Sequence, residues 1–419
     1  MRVVIVHELG EEAGTTVGSL AADFEFDVCV VGGCGHVGLP LAIVMAHRDL
    51  RVAIDDIDAN AVEMVRSGRM PFMEDKAEPM LAEVIDRNLT VDNDRTLISR
   101  SRIVVVVIGT PVDEHLNPTY HRIQRFFVDM LPHLVDGQCL ILRSTLYPGT
   151  TEKVDALLRS SGRRVHVAFC PERIAQGHAM RELVELPQIV AGCDDEATGI
   201  ANELFGRIAP SIIEMRPLDA ELTKIFANSW RYIQFATANQ FFMIANDFGV
   251  DFYQIYDALT RDYPRMAGLP GSGFTAGPCL LKDTMQLAAA TESRFSLGRA
   301  AIQVNEGLPD YVVRQMKSRY RLGTLTVGIL GMAFKGDIDD ARESLSYKLR
   351  KILEYEAAAV ICTDPYVCEP RFVPVEEVLD RADVLVLGAP HSDYRSLVIP
   401  QDKPVIDVWN FFGKGARLA

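Results

Sequence analysis

The sequence predicts an α/β fold: two Rossmann-like doubly wound domains joined by a long central helix. Three observations predict it. Short Val/Ile-rich runs alternate with longer amphipathic segments from Phe26 onward, a glycine-rich turn separates the first such run from the helix after it, and the alternation returns after about residue 321.

Residues 1–25, "MRVVIVHELGEEAGTTVGSLAADFE", carry acids where a signal peptide has a basic start and a long apolar run, so they read as an N-terminal extension without an assigned role. Residues 26–215 form the first domain. "DVCVVGG", "RVAIDD", "RIVVVVIGT", "CLILRST", "VHVAFCPER" and "LPQIVAG" read as strands up to about residue 193, with a helix through "LPLAIVMAHR". Such continuous apolar runs fit parallel strands buried on both faces. Residues 216–320 differ, because apolar residues there recur at three and four spacing through more than twenty residues before Gly249 and a second short helix. The stretch "PGSGFTAGPCLLKDT" follows, then a helical region to about 320. Residues 321–419 resume with "TVGILGMAFK", "SYKLRKILEYEA", "AVICTDPY", "VLVLGAP" and "PVIDVW", a second, smaller open α/β domain.

Composition narrows the function. The 419 residues are 48% hydrophobic and 24% charged with a net charge of −14, and no cluster of Lys and Arg offers a phosphate-tracking surface, which argues against a nucleic-acid partner. A local pocket for an anionic small molecule remains compatible with that charge. The eight cysteines, at 29, 34, 139, 170, 193, 279, 362 and 368, form no CxxC pair and no framework, so neither a metal site nor a disulfide scaffold is expected and a reducing, cytoplasmic setting is the default. No uninterrupted apolar run reaches the length of a membrane span, roughly 18 residues.

"VVGGCGHVG" places Gly33, Gly35 and Gly38 in GxGxxG spacing between a strand and a helix. Alone that spacing is weak; the acid at the end of the next strand strengthens it. Asp56 stands about 20 residues on, where a carboxylate accepts both ribose hydroxyls of NAD and repels the 2′-phosphate of NADP. Asp55 and Asp58 are neighbours that fit the same role. Lys224 and Asn228 share one face of the long helix; a Lys and an Asn also suit a solvated face, though their surroundings are apolar. Glu172 and Arg173 sit at a strand end, where open α/β sheets keep their sites, and a surface turn explains the same residues. Thr145 precedes a Pro-Gly turn, where its hydroxyl serves either chemistry or a helix cap. Cys279 is flanked by Gly277 and Pro278 and followed by Lys282 and Asp283. Small residues admit a substrate to the backbone and a nearby cation favours thiolate, neither of which a packing cysteine needs.

Taken in order, "GGCGHVGLPLA", "GTPVDEHLNP", "STLYPGTT", "CPERIAQG", "AELTKIFANSWR", "GSGFTAGPCLLKD", "GMAFKGDIDDARES" and "DPY" resemble the UDP-glucose/GDP-mannose dehydrogenase family over nearly all of residues 26–415. The resemblance implies two successive hydride transfers to NAD from C6 of a nucleotide sugar, with Cys279 as nucleophile in the second. It implies that Lys224 and Asn228 stabilise the oxyanion, that Asp283 holds water and the lysine, and that Glu172 and Thr145 assist base work and hydrolysis. Gly33, Gly35, His36, Val37, Asp56, Thr110, Thr145 and Arg342 are the implied cofactor contacts. Glu172, Arg173, Lys224, Asn228, Arg265, Gly273, Phe274, Phe334 and Lys335 are the implied substrate contacts, with Arg265 reaching the partner subunit's substrate in a homodimer built on the central helix. No metal is implied.

Departures bear on the sugar. The family's double glycine before the cysteine is here "AGP". "CPER" and "PRMAGLPGSG" resemble members acting on N-acetylated aminosugars, whereas "CLLKD" resembles the UDP-glucose enzymes. A single-hydride hydroxy-acid or hydroxyacyl dehydrogenase and a non-catalytic nucleotide-sugar binder are the competing classes.

Overall fold

The computed structural model describes residues 2–5, 24–109, 120–275, 277–292, 294–415 and 418. The chain divides into two compact units, Met1–Phe226 and Ala227–Ala419, with the division inside the long helix Pro217–Asp247.

In the first unit nine strands form one sheet: β1 (Arg2–Ile5), β2 (Phe26–Val31), β3 (Val52–Asp55), β4 (Leu89–Asp92), β5 (Ser101–Val106), β6 (Cys139–Leu142), β7 (His166–Phe169), β8 (Gln188–Gly192) and β9 (Ser211–Glu214). Their spatial order is β1-β9-β8-β7-β6-β5-β2-β3-β4, so the chain reverses direction across the sheet between β2 and β5. Alternate residues of the central strands enter different cores. Val28, Val30, Ile54 and Ile141 pack on one face, and Cys29, Val31, Val104 and Leu142 on the other. That double burial is why the strands read as unbroken apolar runs, each enclosed Val or Ile contributing about 1.5–3 kcal/mol.

Four details differ from the sequence expectation. The strand "RVAIDD" ends at Asp55, leaving Asp56 just beyond it. The sheet is not wholly parallel, because β7 pairs antiparallel with β8 through Ala168↔Gly192. The connection between them is taken up by a turn and the seven-residue helix Ala179–Glu185, which does not span the sheet as a parallel crossover must. The strand series also runs past residue 193: the helix Asp195–Phe205 crosses to β9, parallel to β8. The N-terminal extension is itself structured at its start, since β1 pairs antiparallel with β9 from Arg2↔Glu214 to Ile5↔Ser211 and covers that sheet edge.

The second unit holds a four-stranded parallel sheet in the order β11-β10-β12-β13, from β10 (Thr326–Leu330), β11 (Ala359–Thr363), β12 (Val384–Leu387) and β13 (Val405–Ile406). Beyond Pro217–Asp247, Gly249 takes φ +72° to end the helix, and Asp251 caps the next one, Phe252–Thr260, by accepting from the Tyr253 N–H at 2.9 Å. Helices Leu280–Ala290 and Ser296–Lys317 follow, and Leu345–Glu356 and Val375–Arg381 lie between the strands of the sheet. Among the described residues no helix is long and apolar enough to cross a membrane.

Candidate active site

The glycines between β2 and the helix Gly38–His47 have separate tasks. A Cβ on Gly33 would stand 2.8 Å from both the Ile54 side chain and the Val30 carbonyl, and one on Gly38 would stand 2.6 Å from the Gly33 Cα. Those two close the strand onto the helix. Gly35 is exposed, and a Cβ there would meet nothing nearer than 4.0 Å. Its open backbone, before a helix N-terminus, is the cradle a pyrophosphate requires. His36 stacks on Phe72 with centroids 4.0 Å apart, and Val37 is the residue before the helix.

The three candidate acids resolve by position. Asp58 caps the helix Ala59–Arg66, accepting from the N–H groups of Asn60 and Ala61 at 3.0 and 3.1 Å. Asp55 is buried, 4.0 Å from Arg95, and burial pushes its carboxyl above the usual range. Asp56 is tied to the glycine turn itself, accepting from the Cys34 N–H at 2.8 Å and the Asp58 N–H at 3.0 Å. Of the three, it is the one whose side chain is fixed to the glycine turn. Thr110 lies outside the described residues.

At the ends of β6 and β7, Ser144 donates to the Ile108 carbonyl, and Thr145 follows it. Glu172 is 7% exposed and accepts from the Arg173 and Ile174 N–H groups at 2.5 and 2.6 Å. Its second oxygen meets the guanidinium of Arg143, which is 1% exposed. Arg173 donates to the Pro187 carbonyl, and burial pulls its guanidinium below its ordinary range. Glu221, buried on the long helix, caps the helix Thr150–Ser160 by accepting from Gly149 N–H, Thr151 N–H and Thr151 Oγ1 at 2.5, 2.8 and 2.6 Å. The helix carrying half-buried Lys224 is thereby pinned to the loop carrying Thr145.

In the second unit Asn228 and Asp283 meet. Both are buried, and the Asn228 amide donates to Asp283 at 2.5 Å. Cys279 is exposed and stands at the N-cap of Leu280–Ala290, the positive end of that helix dipole. The other cysteines differ, apart from exposed Cys368. Burial pushes the Cys34 and Cys170 thiols up to about 12, which suits packing residues.

Two aromatic rings shape the loop before the cysteine. A Cβ on Gly273 would lie 2.2 Å from the Trp409 ring, and one on Gly277, at φ +112°, would lie 2.9 Å from the Phe334 ring. Ser272 donates to the Val408 carbonyl at 2.6 Å, the Gly273 N–H to Asn239 at 2.9 Å, and Asn239 to Asn305 at 2.9 Å. Phe274 is buried, and Phe334 and Lys335 are half-buried. Arg342 is held by Asp340 in a double hydrogen bond, which raises its basicity, and the Cys279 charge adds to that rise. Arg265 is exposed beside the Tyr263 ring, 5.7 Å from its centroid.

Asp364 organises the ends of three strands. It accepts from the N–H groups of Met332, Ala333, Tyr366 and Val367 at 2.6–3.0 Å and pairs with His391 at 3.1 Å. It thus fixes the loop that carries Phe334 and Lys335. Sequence reasoning missed Arg143, Glu221, Asn239, His391 and Trp409. A charged residue ending the apolar run "CLILR" was the one visible signal among them.

Three family descriptions match along the chain: the NAD binding domain of the UDP-glucose/GDP-mannose dehydrogenase family over residues 26–209, its central domain over 218–307 and its UDP binding domain over 328–414. The chain belongs to this family. It is an NAD-dependent nucleotide-sugar dehydrogenase, and the Gly35 cradle with Asp56 fits the cofactor. Similar curated proteins include a UDP-N-acetyl-D-mannosamine dehydrogenase of Pyrococcus horikoshii, 29% identical over 92% of each chain. An NDP-N-acetyl-D-galactosaminuronic acid dehydrogenase of Ralstonia nicotianae is 28% identical over 92% of this chain and 96% of its own. The solved Pyrococcus horikoshii enzyme superposes with TM-score 0.84 at 28% identity, covering 92% of this chain and 95% of its own.

Proposed function

We propose that the protein oxidises C6 of a UDP-N-acetylhexosamine by four electrons to the uronic acid through a covalent adduct on Cys279. The observation that carries this reading is the exposed Cys279 at a helix N-terminus, beside a loop whose glycines are pressed by Phe334 and Trp409. Bound NAD supplies the hydride acceptor. Lys224 and Asn228 stabilise the alkoxide of the alcohol and later the oxyanion. An aldehyde carbon must become tetrahedral before it can be oxidised again, and addition of the Cys279 sulfur makes it so as a thiohemiacetal. Its oxidation leaves a thioester, which water cleaves with Asp283, Glu172 and Thr145 orienting that water. Lys335 and Arg342 bind pyrophosphate oxygens, and Arg173, Gly273, Phe274 and Phe334 line the sugar and base.

The N-acetylated sugar is favoured by "CPER" and by the names of the similar enzymes from Pyrococcus and Ralstonia. A homodimer is favoured by the apolar stripe on Pro217–Asp247, where Phe226, Trp230, Phe241 and Ile244 are all more than two-fifths exposed, at spacings that share one helix face. Arg265, already exposed, then contacts the partner subunit's substrate.

The test is NADH formed per sugar consumed, across UDP-N-acetylmannosamine, UDP-N-acetylgalactosamine, UDP-N-acetylglucosamine and UDP-glucose. Two NADH per sugar are expected, with Cys279→Ala slowing acid formation by roughly 10³-fold or more. One NADH per sugar, unchanged in Cys279→Ala, would establish a single-hydride dehydrogenase instead.

A further inference from the structure

We infer that Arg143 is a positioning residue that leaves Glu172 with one open acceptor site for the water that cleaves the thioester. The inference rests on the function proposed above. An ionised carboxylate has about four lone-pair sites. Oε1 of Glu172 fills two of its sites with the Arg173 and Ile174 N–H groups, at 2.5 and 2.6 Å, and Oε2 fills one with the Arg143 guanidinium. One site on Oε2 remains for a water or a substrate hydroxyl. The residue is 7% exposed, so little of it meets solvent.

Arg143 is itself held from three sides. Its Nη1 donates to the Cys170 carbonyl at 3.1 Å and to Gln188 Oε1 at 3.0 Å, and its guanidinium lies 5.1 Å from the Phe205 ring centroid. Gln188 is anchored in turn, donating to the Ile189 carbonyl at 2.7 Å. A planar fork with donors on both nitrogens can satisfy all these partners at once; an ammonium cannot. Enclosing a whole ion pair is costly, and apolar residues of the same volume often serve stability as well. The pair's use is therefore orientation, which a reaction needing one water in one place rewards.

The step served is hydrolysis. The water oxygen bonds to the acyl carbon, the C–S bond breaks with its electron pair leaving on sulfur, and the two water protons pass to sulfur or solvent. No oxidant is consumed. A loosened Glu172 should therefore spare both oxidations and slow only this release.

The experiment follows NADH in a rapid-mixing instrument with UDP-N-acetylmannosamine, for wild type, Arg143→Lys, Gln188→Met and Glu172→Gln. For Arg143→Lys the expected result is a burst approaching two NADH per active site, then turnover slowed about 10–100-fold with KM within about threefold. Intact-protein mass should show the acyl adduct on the enzyme. Gln188→Met keeps the ion pair and should give a smaller loss of the same kind, which covers the case in which Arg143→Lys does not fold. Adding Arg143→Lys to Glu172→Gln should lower kcat no further. Independent losses in that double variant, or a raised KM with no burst in an active Arg143→Lys, overturn the inference. Wild type forming no uronic acid overturns the proposed function itself.

Discussion

The protein has two glycine-rich loops, and they use glycine for opposite reasons. In the loop at residues 32–38, Gly33 and Gly38 are pressed by backbone of the same turn, by Ile54 of β3 and by Val107 just past β5, while Gly35 is left open. In the loop at 271–277, Gly273 and Gly277 are pressed by aromatic rings, Trp409 and Phe334, that arrive from far along the chain. The first loop leaves one glycine open in front of a helix N-terminus; the second is moulded by side chains that follow strands of the second unit's sheet. A backbone neighbour cannot step aside, whereas a ring can, so the same substitution should cost different amounts in the two places.

The largest effect belongs to Gly38→Ala. Its Cβ would sit 2.6 Å from the Gly33 Cα, so strand and helix must part, at a cost of about 1–3 kcal/mol or more, with loss of NAD binding. Gly35→Ala is the control. It meets nothing within ordinary contact in the protein, so stability should stay within about 0.5 kcal/mol while NAD affinity falls. Thermal melts and NAD titration separate the two, and an equal loss of stability in both would erase the distinction between packing and cradle glycines.

A smaller and reversible effect is expected at Gly273. A Cβ there collides with the Trp409 ring at 2.2 Å, which should shift the cysteine loop and lower kcat by about tenfold with a stability loss of roughly 1 kcal/mol. Trp409→Leu in the same chain should restore much of both, because the obstacle is a side chain. Kinetics and melts of the single and double variants decide it. Failure of Trp409→Leu to rescue would mean that the loop needs the ring itself and that Gly273 merely accommodates it.

The same contrast explains what the sequence revealed. The glycine turn and the acid at Asp56 were legible because a glycine spacing and an acid about 20 residues on are local signals, whereas the Val107 contact on Gly38, from beyond β5, was not. Cys279, Asn228 and Asp283 were legible as a family pattern, and the Asn228–Asp283 hydrogen bond followed from none of the spacings. Trp409, Asn239 and His391 were invisible, because their importance comes from contacts between segments remote in the chain. Arg143 shows the intermediate case, a charge at the end of an apolar strand whose partner, Glu172, lies on the neighbouring strand's end. The antiparallel β7–β8 pair and β1 escaped for a related reason: strand direction depends on how a connection is spent, and an edge strand of four residues has no periodicity to detect.

The smallest expected effect compares acids at the strand ends of the two sheets, and its sign is opposite in each. Burial pushes the carboxyl of Asp55 up, with the Arg95 charge only partly offsetting it. Burial acts on Asp364 too, but the His391 hydrogen bond and charge, together with backbone N–H groups, bring it below its ordinary value. A raised carboxyl binds its proton more tightly when folded, so its stabilising contribution is present below the unfolded value of about 3.9 and is lost as pH rises through the folded value. A lowered carboxyl contributes above about 3.9 and loses that as pH falls. Asp55→Asn should therefore melt about 1–3 °C above wild type near neutral pH, with the gap closing toward pH 4. Asp364→Asn should melt below wild type near neutral pH, again with the gap closing in acid. Melts that place Asp55→Asn below wild type at neutral pH would show that the Arg95 pair outweighs burial, and that both acids are supporting parts of their loops.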